Sequence, residues 1–196
     1  MTKIISYFMS PASPYTYMGG TRLASIAAES GAEVAIKPID TGRVMSLTGG
    51  LPVAKRHPTR LAYRLVELAR WRDHLGLAMN IEPAYFPVDA GLASAVIIAA
   101  RQAGSDAMGV ANAILRGVWE QERDIADTEA LAGIIGQAGA DAPGLIEAAT
   151  GDAVRAEFEA NTEEAIAAGV FGVPWCVYEG IPYWGQDRLE FLARAL

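Results

Sequence analysis

The feature that most constrains the fold of this chain is a proline placed immediately before a short β-prone segment. Residues 169–174 (GVFGVP) follow a helical pattern and lead into residues 175–178 (WCVY). Because proline cannot donate to a β-ladder, it is confined to the starts and edges of strands. Pro174 is either an ordinary trans-proline or a cis-proline, a form that X-Pro bonds reach at a cost of about 0.5–1 kcal/mol. A cis-proline here would leave the backbone of Val173 available to pair with an extended ligand.

The beginning of the chain predicts a β-α-β unit. Residues 3–9 are almost continuously apolar, which is typical of a strand buried on both faces. A helix is predicted over 15–29, with Ser13 as its N-cap and Pro14 at its first position. Residues 33–39 form the second predicted strand. The unit implies a parallel pair with a right-handed crossover.

The middle of the chain predicts a block of helices. Glycines and prolines between residues 40 and 58 indicate a loop with at most a short helical turn. Beyond it, apolar residues recur at helical spacing. Helices are predicted over residues 60–75, 92–103, 108–122, 127–138 and 152–169, with Asp127 and Asp152 as N-caps and a short further helix from Asp141.

The end of the chain predicts a β-hairpin followed by a helix. Strands over 175–178 and 181–184 are joined by Glu179-Gly180, a typical tight turn. The last helix is predicted from Asp187 to the end of the sequence.

This order of elements predicts an α/β fold of the thioredoxin-like kind with an inserted all-helical subdomain. We expect residues 1–40 and 152–196 to form the thioredoxin-like domain and residues 41–151 the helical insertion. Neither half of the thioredoxin-like domain could stand alone, so the chain is expected to be one folding unit.

Composition and charge exclude several classes of function. The 196 residues are 52% hydrophobic, and 16 basic against 23 acidic residues give a net charge of −7. That balance argues against general nucleic-acid binding. A single cysteine excludes an internal disulfide and, with no visible signal peptide, favours a cytoplasmic location. No apolar run is long enough to cross a membrane, and two histidines and one cysteine without ligand spacing make a metal site improbable.

The turn that begins the first helix carries hydroxyl groups where a redox thioredoxin carries thiols. Residues 13–16 read SPYT, in place of the Cys-x-x-Cys motif. Dithiol–disulfide exchange is therefore excluded at this turn. The N-terminus of a helix favours an anion such as a thiolate. Ser13 is either only an N-cap or also a hydrogen-bond donor to a bound thiolate, and the downstream proline favours the second interpretation.

Cys176 is predicted to be a core residue rather than a nucleophile. Two positions after Pro174, it should point into the sheet interior, where a lone cysteine behaves as a small hydrophobe. A nucleophilic Cys176 assisted by His57 or His74 has no supporting sequence spacing.

Four stretches together resemble the 2-hydroxychromene-2-carboxylate isomerases. They are residues 8–17, 119–127, 168–174 and 184–189, so the resemblance runs along nearly the whole chain. That family is close to the kappa-class glutathione transferases and belongs to the thioredoxin-like disulfide oxidoreductase superfamily.

The resemblance implies glutathione as cofactor and assigns residues to it. The serine at position 13 would contact the glutathione sulfur and act as the catalytic residue. Val173, before a cis-Pro174, would pair its backbone with the cysteinyl unit. Gln186 and Asp187 would bind the γ-glutamyl end. Asp187 can meet an α-ammonium group, although it is also a candidate N-cap of the last helix.

One loop departs from the pattern of that family. The usual lysine is replaced by Ser46 and the usual asparagine by Gly50. Both family residues normally contact glutathione or substrate.

Aromatic side chains are candidate walls of a flat substrate pocket. Tyr15, Tyr17 and Trp184 are the pocket candidates, and Trp175 is a further one, although more of the four are expected in the core than in the pocket wall.

A basic stretch in this acidic protein bears on the class of substrate. Between residues 55 and 72 there are six basic residues and one acidic residue, Glu67. The stretch would suit a carboxylated aromatic ligand or the glycyl carboxylate of glutathione. For most of the arginines, a solvated helix face is the expected alternative.

The resemblance implies a glutathione-dependent cis-trans isomerase. Its substrate would be a small aromatic carboxylate of the 2-hydroxychromene-2-carboxylate kind, transformed through reversible addition of the glutathione thiolate. Two alternatives stay open: a kappa-type glutathione transferase that uses the same thiolate, and a redox-inactive thioredoxin-like protein that binds a peptide or glutathione. Dimers are usual in the resembled family, so a homodimer is expected.

Overall fold

The computed structural model describes residues 2–196, which form one four-stranded sheet and nine α-helices. The strands are β1 (Lys3–Met9), β2 (Ala32–Pro38), β3 (Trp175–Tyr178) and β4 (Ile181–Trp184). The helices are α1 (Pro14–Ser30), α2 (Thr41–Thr48), α3 (Pro58–Leu75), α4 (Gly91–Gln102), α5 (Ala107–Trp119), α6 (Thr128–Gln137), α7 (Ala142–Ala149), α8 (Asp152–Ala167) and α9 (Leu189–Ala195). Two 3-10 turns cover Val53–Lys55 and Gln186–Arg188.

The sheet has the predicted mixed topology, with strand order β2-β1-β3-β4. β1 and β2 are parallel, in register from Lys3 opposite Ala32 onward. β3 is antiparallel to both β1 and β4. Glu179 (φ 49°) and Gly180 (φ 78°) both have positive φ, as a type I′ hairpin turn requires. The β-α-β unit and the C-terminal hairpin are therefore confirmed.

Helix α1 begins and ends as its sequence predicts. The Oγ of Ser13 accepts a hydrogen bond from the backbone N–H of Thr16 at 3.2 Å, and Pro14 occupies the first helical position. Gly31 ends the helix with φ 65°, a left-handed conformation that glycine adopts without steric cost. Because α1 directly follows β1, its N-terminus lies at the end of a central strand.

The loop prediction for residues 40–58 was wrong in part, because the segment contains the eight-residue helix α2. Asp40 caps it by accepting from the N–H of Arg43 at 2.9 Å, and Gly49 ends it with φ 77°. Val44 is buried and packs into a small apolar cluster with Phe8. Tertiary burial of one face thus stabilises a helix that its glycine-rich sequence does not indicate.

The predicted N-cap Asp152 and the candidate N-cap Asp187 do not cap their helices. Asp152 is the first residue of α8, and Gly151 is the N-cap. Asp187 lies inside the 3-10 turn that precedes α9, and its Oδ2 accepts from Arg188 Nη1 at 2.6 Å. The helix begins two residues later than expected, at Leu189. Asp187 therefore keeps its carboxylate on the surface rather than on the helix amides.

A continuous apolar core joins the sheet to the helical block. It contains Ile5 from β1, Leu23 from α1, Ile97 from α4, Ile114 from α5 and Ile134 from α6. Each fully buried side chain of this size contributes about 1.5–3 kcal/mol. The shared core agrees with one folding unit, while the proposed boundaries at residues 40 and 152 stay a prediction.

Within residues 2–196, no helix is both long and apolar enough to cross a membrane. Over the same part of the chain, no group of three or more His, Cys, Asp or Glu side chains is arranged to hold a metal ion.

Candidate active site

A cavity of about 940 Å³ opens beside the N-terminus of α1. This volume lies within the range usual for small-molecule sites. One wall comes from the segments next to strands β1, β3 and β4, including the N-terminus of α1. The other wall comes from α2, α3 and the loop before α4. The lining residues fall within 10–15, 39–56, 64–71, 86–94, 158, 171–173 and 184–188.

Ser13 lies on the cavity wall and is half-buried. Its Oγ caps α1 by accepting from Thr16, so the N-cap prediction is confirmed. A hydroxyl that accepts one hydrogen bond still has its own proton to donate. The same oxygen therefore caps the helix and can donate into the cavity, where the positive end of α1 adds its field. Contact of Ser13 with a thiolate stays a prediction.

The peptide bond between Val173 and Pro174 is cis. Val173 lines the cavity, and pairing between β3 and β1 begins only at Trp175. Pro174 is buried and does not line the cavity; its carbonyl accepts from the N–H of Gly185 at 2.9 Å. Val173 thus lines the cavity just before the paired part of the strand.

Gln186 and Asp187 reach the same cavity from the turn after β4. Gln186 is buried, and its Oε1 accepts from Arg22 Nη1 at 2.7 Å while its backbone carbonyl accepts from the same nitrogen at 3.2 Å. Because arginine can only donate, the side-chain oxygen of Gln186 faces Arg22 and its NH₂ group remains as a donor. Arg22 was missed in the sequence because 164 positions separate the two residues.

The aromatic wall differs from the predicted one. Tyr15 and Trp184 line the cavity as predicted, and Trp184 is 50% exposed. Phe171, which the sequence did not single out, packs edge-on against Trp184 with ring centroids 4.6 Å apart. Trp175 also packs edge-on against Phe171, with ring centroids 5.0 Å apart, and it is buried and does not line the cavity.

The prediction that Tyr17 lines this pocket was wrong. Its hydroxyl donates to Glu120 Oε1 at 2.8 Å, and its ring lies against a separate cavity of about 170 Å³. Burial, followed by the hydrogen bond to Glu120, raises the pKa of Tyr17. The physical reason is helical periodicity: two residues span about 200° around a helix axis, so Tyr15 and Tyr17 point to opposite sides.

Cys176 is a core residue, as predicted. It is 1% exposed, and burial raises the pKa of its thiol to about 12. A thiol in this environment stays protonated near neutral pH and is a poor nucleophile. The structure gives no support to a nucleophilic role with His57 or His74.

The two departures in the loop after β2 have different structural settings. Ser46 is exposed, lies outside the cavity lining, and donates from its Oγ to the carbonyl of Arg43 at 2.7 Å. Gly50 is on the cavity wall, and a Cβ at this position would lie 2.9 Å from the Cβ of Met45. Only the second departure therefore changes the shape of the cavity.

The basic stretch divides between the cavity and the solvent. Arg56 and Arg64 line the cavity. Arg60, Arg70 and Arg72 lie outside its lining, with Arg60 and Arg70 exposed, which agrees with the solvated-face alternative.

Comparison with known proteins places this geometry in a family. The family model described as DSBA-like thioredoxin domain matches residues 4–196. Among curated proteins, the chain is 27% identical to a 2-hydroxychromene-2-carboxylate isomerase of Sphingobium xenophagum, over 98% of this chain and 97% of that protein. It is also 27% identical to the Pseudomonas putida protein of the same name, over 98% and 94% of the two chains.

A solved structure supports the same assignment. The structure of a selenomethionine 2-hydroxychromene-2-carboxylate isomerase superimposes with a TM-score of 0.81 at 25% identity, covering 98% of this chain and 93% of that one. The predicted thioredoxin-like α/β fold with helical insertion is therefore confirmed. The chain belongs to the DSBA-like thioredoxin domain family.

Proposed function

We propose that this protein is a glutathione-dependent isomerase of the 2-hydroxychromene-2-carboxylate type. The observation that carries the proposal is the meeting of Ser13, Val173 and the Gln186-Asp187 pair at one cavity. Relatives that bear this enzyme name match the chain from end to end. Their names support isomerase chemistry, and the donor groups of the cavity support glutathione as cofactor.

The residues at the cavity fit glutathione by chemical type. Val173 offers backbone groups ahead of the first paired residue of β3, which suits an extended peptide-like cofactor. The NH₂ group of Gln186 suits a carboxylate, and the carboxylate of Asp187 suits an α-ammonium group. When bound, glutathione would supply a thiolate that adds reversibly to the conjugated substrate, allows rotation about the former double bond, and leaves again.

The residues of the chain would then hold negative charge and orient the partners. Ser13 donates its hydroxyl proton toward the anion while its oxygen remains bound to Thr16 N–H. The 17-residue helix α1 adds the positive end of its dipole. Arg22 fixes the rotamer of Gln186 through two hydrogen bonds. A donor set that is already in place needs little reorganisation when charge develops.

The aromatic groups at the rim suit a flat, conjugated substrate. Tyr15 and Trp184 line the cavity, and Phe171 is held edge-on against Trp184. Planar ligands stack on such rings, and their apolar faces exclude water from the reacting bond. These rings, together with Arg56 and Arg64 in the cavity lining, support the proposed preference for a small aromatic carboxylate.

A redox-inactive binding protein is the second candidate, favoured by one specific observation. Gly50 stands on the cavity wall where the resembled family has an asparagine. Loss of that contact would leave a cavity that binds glutathione or a peptide without turnover.

Two measurements test the proposal. Titration calorimetry with millimolar glutathione should show saturable binding, and absence of binding would contradict the proposal. Isomerisation of 2-hydroxychromene-2-carboxylate, followed by absorbance, should require added glutathione. Binding without turnover would favour the second candidate. Conjugation of a halogenated nitroaromatic in place of isomerisation would indicate a kappa-type transferase.

A further inference from the structure

The carboxylates that line the cavity all have hydrogen-bond partners within the described part of the protein, whereas the arginines do not all have them. Four carboxylates line the cavity, and each one already has a partner. The pairs are Asp40 with the N–H of Arg43 at 2.9 Å, Glu67 with Arg70 at 2.6 Å, Asp89 with the N–H of Gly91 at 2.8 Å and Asp187 with Arg188 at 2.6 Å. Each of these carboxylates therefore has a hydrogen-bond donor within the protein, and two of them, Glu67 and Asp187, are also paired with an arginine.

Among the arginines that line the cavity, one has a buried donor without a hydrogen-bond partner in the described part of the chain. Arg188 pairs with Asp187, and the Nε of Arg56 donates to the carbonyl of Leu51 at 2.9 Å. Arg64 differs from both, because its Nη2 is buried and has no hydrogen-bond partner among residues 2–196. A buried guanidinium donor without an acceptor is unfavourable in a folded protein. Its natural complement is a carboxylate, whose two oxygens match the fork of the guanidinium.

The surroundings of Arg64 hold the guanidinium in place without satisfying it. Its Cζ lies over the ring of Phe86, 5.2 Å from the centroid, a cation–π contact that uses none of the N–H donors. Glu67, one turn away on α3, is engaged by Arg70. Arg56 adds positive charge nearby, and burial lowers the pKa of Arg64 while Tyr15 opposes that shift. The guanidinium remains a charged donor, because arginine does not deprotonate in proteins.

Tyr15 lines the same cavity as Arg64 and supplies a second donor there. It belongs to the first turn of α1. Burial raises the pKa of its phenol, so the hydroxyl is protonated at neutral pH and can donate. Arg64 and Tyr15 come from different elements, and together they offer donors to one ligand group.

We propose that Arg64, assisted by the hydroxyl of Tyr15, is the anchor for a ligand carboxylate in this cavity. The proposal rests on the proposed function and deepens it, because it explains why a carboxylated ligand would be selected over its neutral analogue. The carboxylate belongs either to the aromatic substrate or to the glycyl end of glutathione, and the experiment separates these sources.

The experiment measures the affinity for matched acid and neutral ligands by titration calorimetry. Chromone-2-carboxylate and chromone-2-carboxamide represent the aromatic source, and glutathione and its glycyl ethyl ester represent the cofactor source. The variants are Arg64→Gln and Arg64→Lys. Arg60→Gln is the matched control, since Arg60 lies one turn away on the same helix, is exposed and does not line the cavity.

Arg64→Gln should weaken one carboxylate ligand by roughly 10- to 100-fold, the range expected for a charge-assisted hydrogen bond. Binding of the neutral partner should change by less than about twofold, and Arg60→Gln should change neither. Arg64→Lys, which keeps the charge but loses the fork, should give an intermediate loss and serves if Arg64→Gln does not fold. If Arg64→Gln loses affinity for chromone-2-carboxylate and not for the carboxamide, Arg64 binds the substrate carboxylate. If it loses affinity for glutathione and not for the ethyl ester, Arg64 binds the glycyl carboxylate.

Two results would overturn the proposal. One is an equal loss of affinity for the acid and the neutral ligand in Arg64→Gln. The other is an affinity for both acid ligands in Arg64→Gln that equals their affinity in Arg60→Gln. Failure of the proposed function is a separate result. A wild-type protein that binds no glutathione, yet prefers chromone-2-carboxylate through Arg64, would refute the cofactor and leave the carboxylate anchor in place.

Discussion

The two walls of the cavity are built from different parts of the protein by different means. The wall around α1, Val173 and Gln186 uses helix and strand ends, so it presents backbone groups and short polar side chains. The wall from α2 and α3 presents long side chains, among them Arg56 and Arg64. Backbone groups are fixed by the fold, whereas long side chains can be exchanged without altering it. We propose that the first wall holds the thiol and γ-glutamyl parts of the cofactor, and that the second wall binds the ligand carboxylate through Arg64.

The largest expected effect comes from Ser13→Ala on the first wall. Loss of a charge-assisted donor, worth roughly 1.5–3 kcal/mol, should raise the pKa of bound glutathione by about one to two units. Turnover near neutral pH should fall by about 10- to 100-fold and should partly recover at higher pH, as the thiolate returns. Absorbance of the bound thiolate, titrated in both proteins, measures the shift.

A matched control separates the donor role of Ser13 from its capping role. Asp127 caps α6 by accepting from the N–H of Ala130 at 2.7 Å and does not line the cavity. Loss of a cap should cost about 0.5–2 kcal/mol of unfolding free energy in either Ser13→Ala or Asp127→Ala. Only Ser13→Ala should change the titration, and superimposable curves would leave Ser13 as a cap alone.

Gly50→Asn tests whether the second wall can regain the family residue. The new Cβ would lie 2.9 Å from the Cβ and Cγ of Met45, closer than real Cβ contacts allow. Such overpacking typically costs about 1–3 kcal/mol. The midpoint of thermal unfolding should therefore fall by several degrees. An unchanged midpoint would show that α2 shifts easily and that residue 50 tolerates an asparagine side chain.

Arg22→Met should weaken glutathione binding, although Arg22 lies behind Gln186 and does not line the cavity. Arg22 donates to both oxygens of Gln186, so its loss frees the side-chain amide to rotate. We expect an affinity about three- to tenfold lower and an unchanged affinity for chromone-2-carboxylate, both measured by calorimetry. Equal loss for both ligands would contradict a division of labour between the walls.

Tyr17→Phe should have the smallest effect, because Tyr17 belongs to neither wall. Removing its hydrogen bond to Glu120 should cost about 0.5–1.5 kcal/mol of unfolding free energy. Affinities for glutathione and for the carboxylate should stay within twofold of wild type. A larger change in either affinity would show that Tyr17 does contribute to ligand binding.

The sequence predicted the first wall better than the second for a physical reason. Ser13 and Val173 are marked by local signals, a helix cap and a proline before a strand, which depend on neighbouring residues. The unsatisfied state of Arg64 depends instead on what packs around it, and no local pattern encodes that. Helix α2 was missed because burial of Val44, a tertiary effect, outweighs its weak helical sequence.

The placement of Tyr17 was the avoidable error. A helix over residues 15–29 was predicted, and its periodicity already separates Tyr15 from Tyr17 by more than half a turn. Arg22 and Phe171 were not avoidable in this sense, since their partners lie far along the chain or are defined only by the folded loop.

The burial of Cys176 affects how well the protein would resist alkylation by a conjugated carbonyl substrate. Conjugated carbonyl compounds alkylate accessible thiolates, and alkylation of a structural cysteine would ordinarily inactivate a protein over repeated cycles. Here the sole cysteine is 1% exposed, with its thiol pKa raised to about 12. Under the proposed function the reacting thiol belongs to glutathione, so an alkylated cofactor can dissociate and be replaced while Cys176 stays intact.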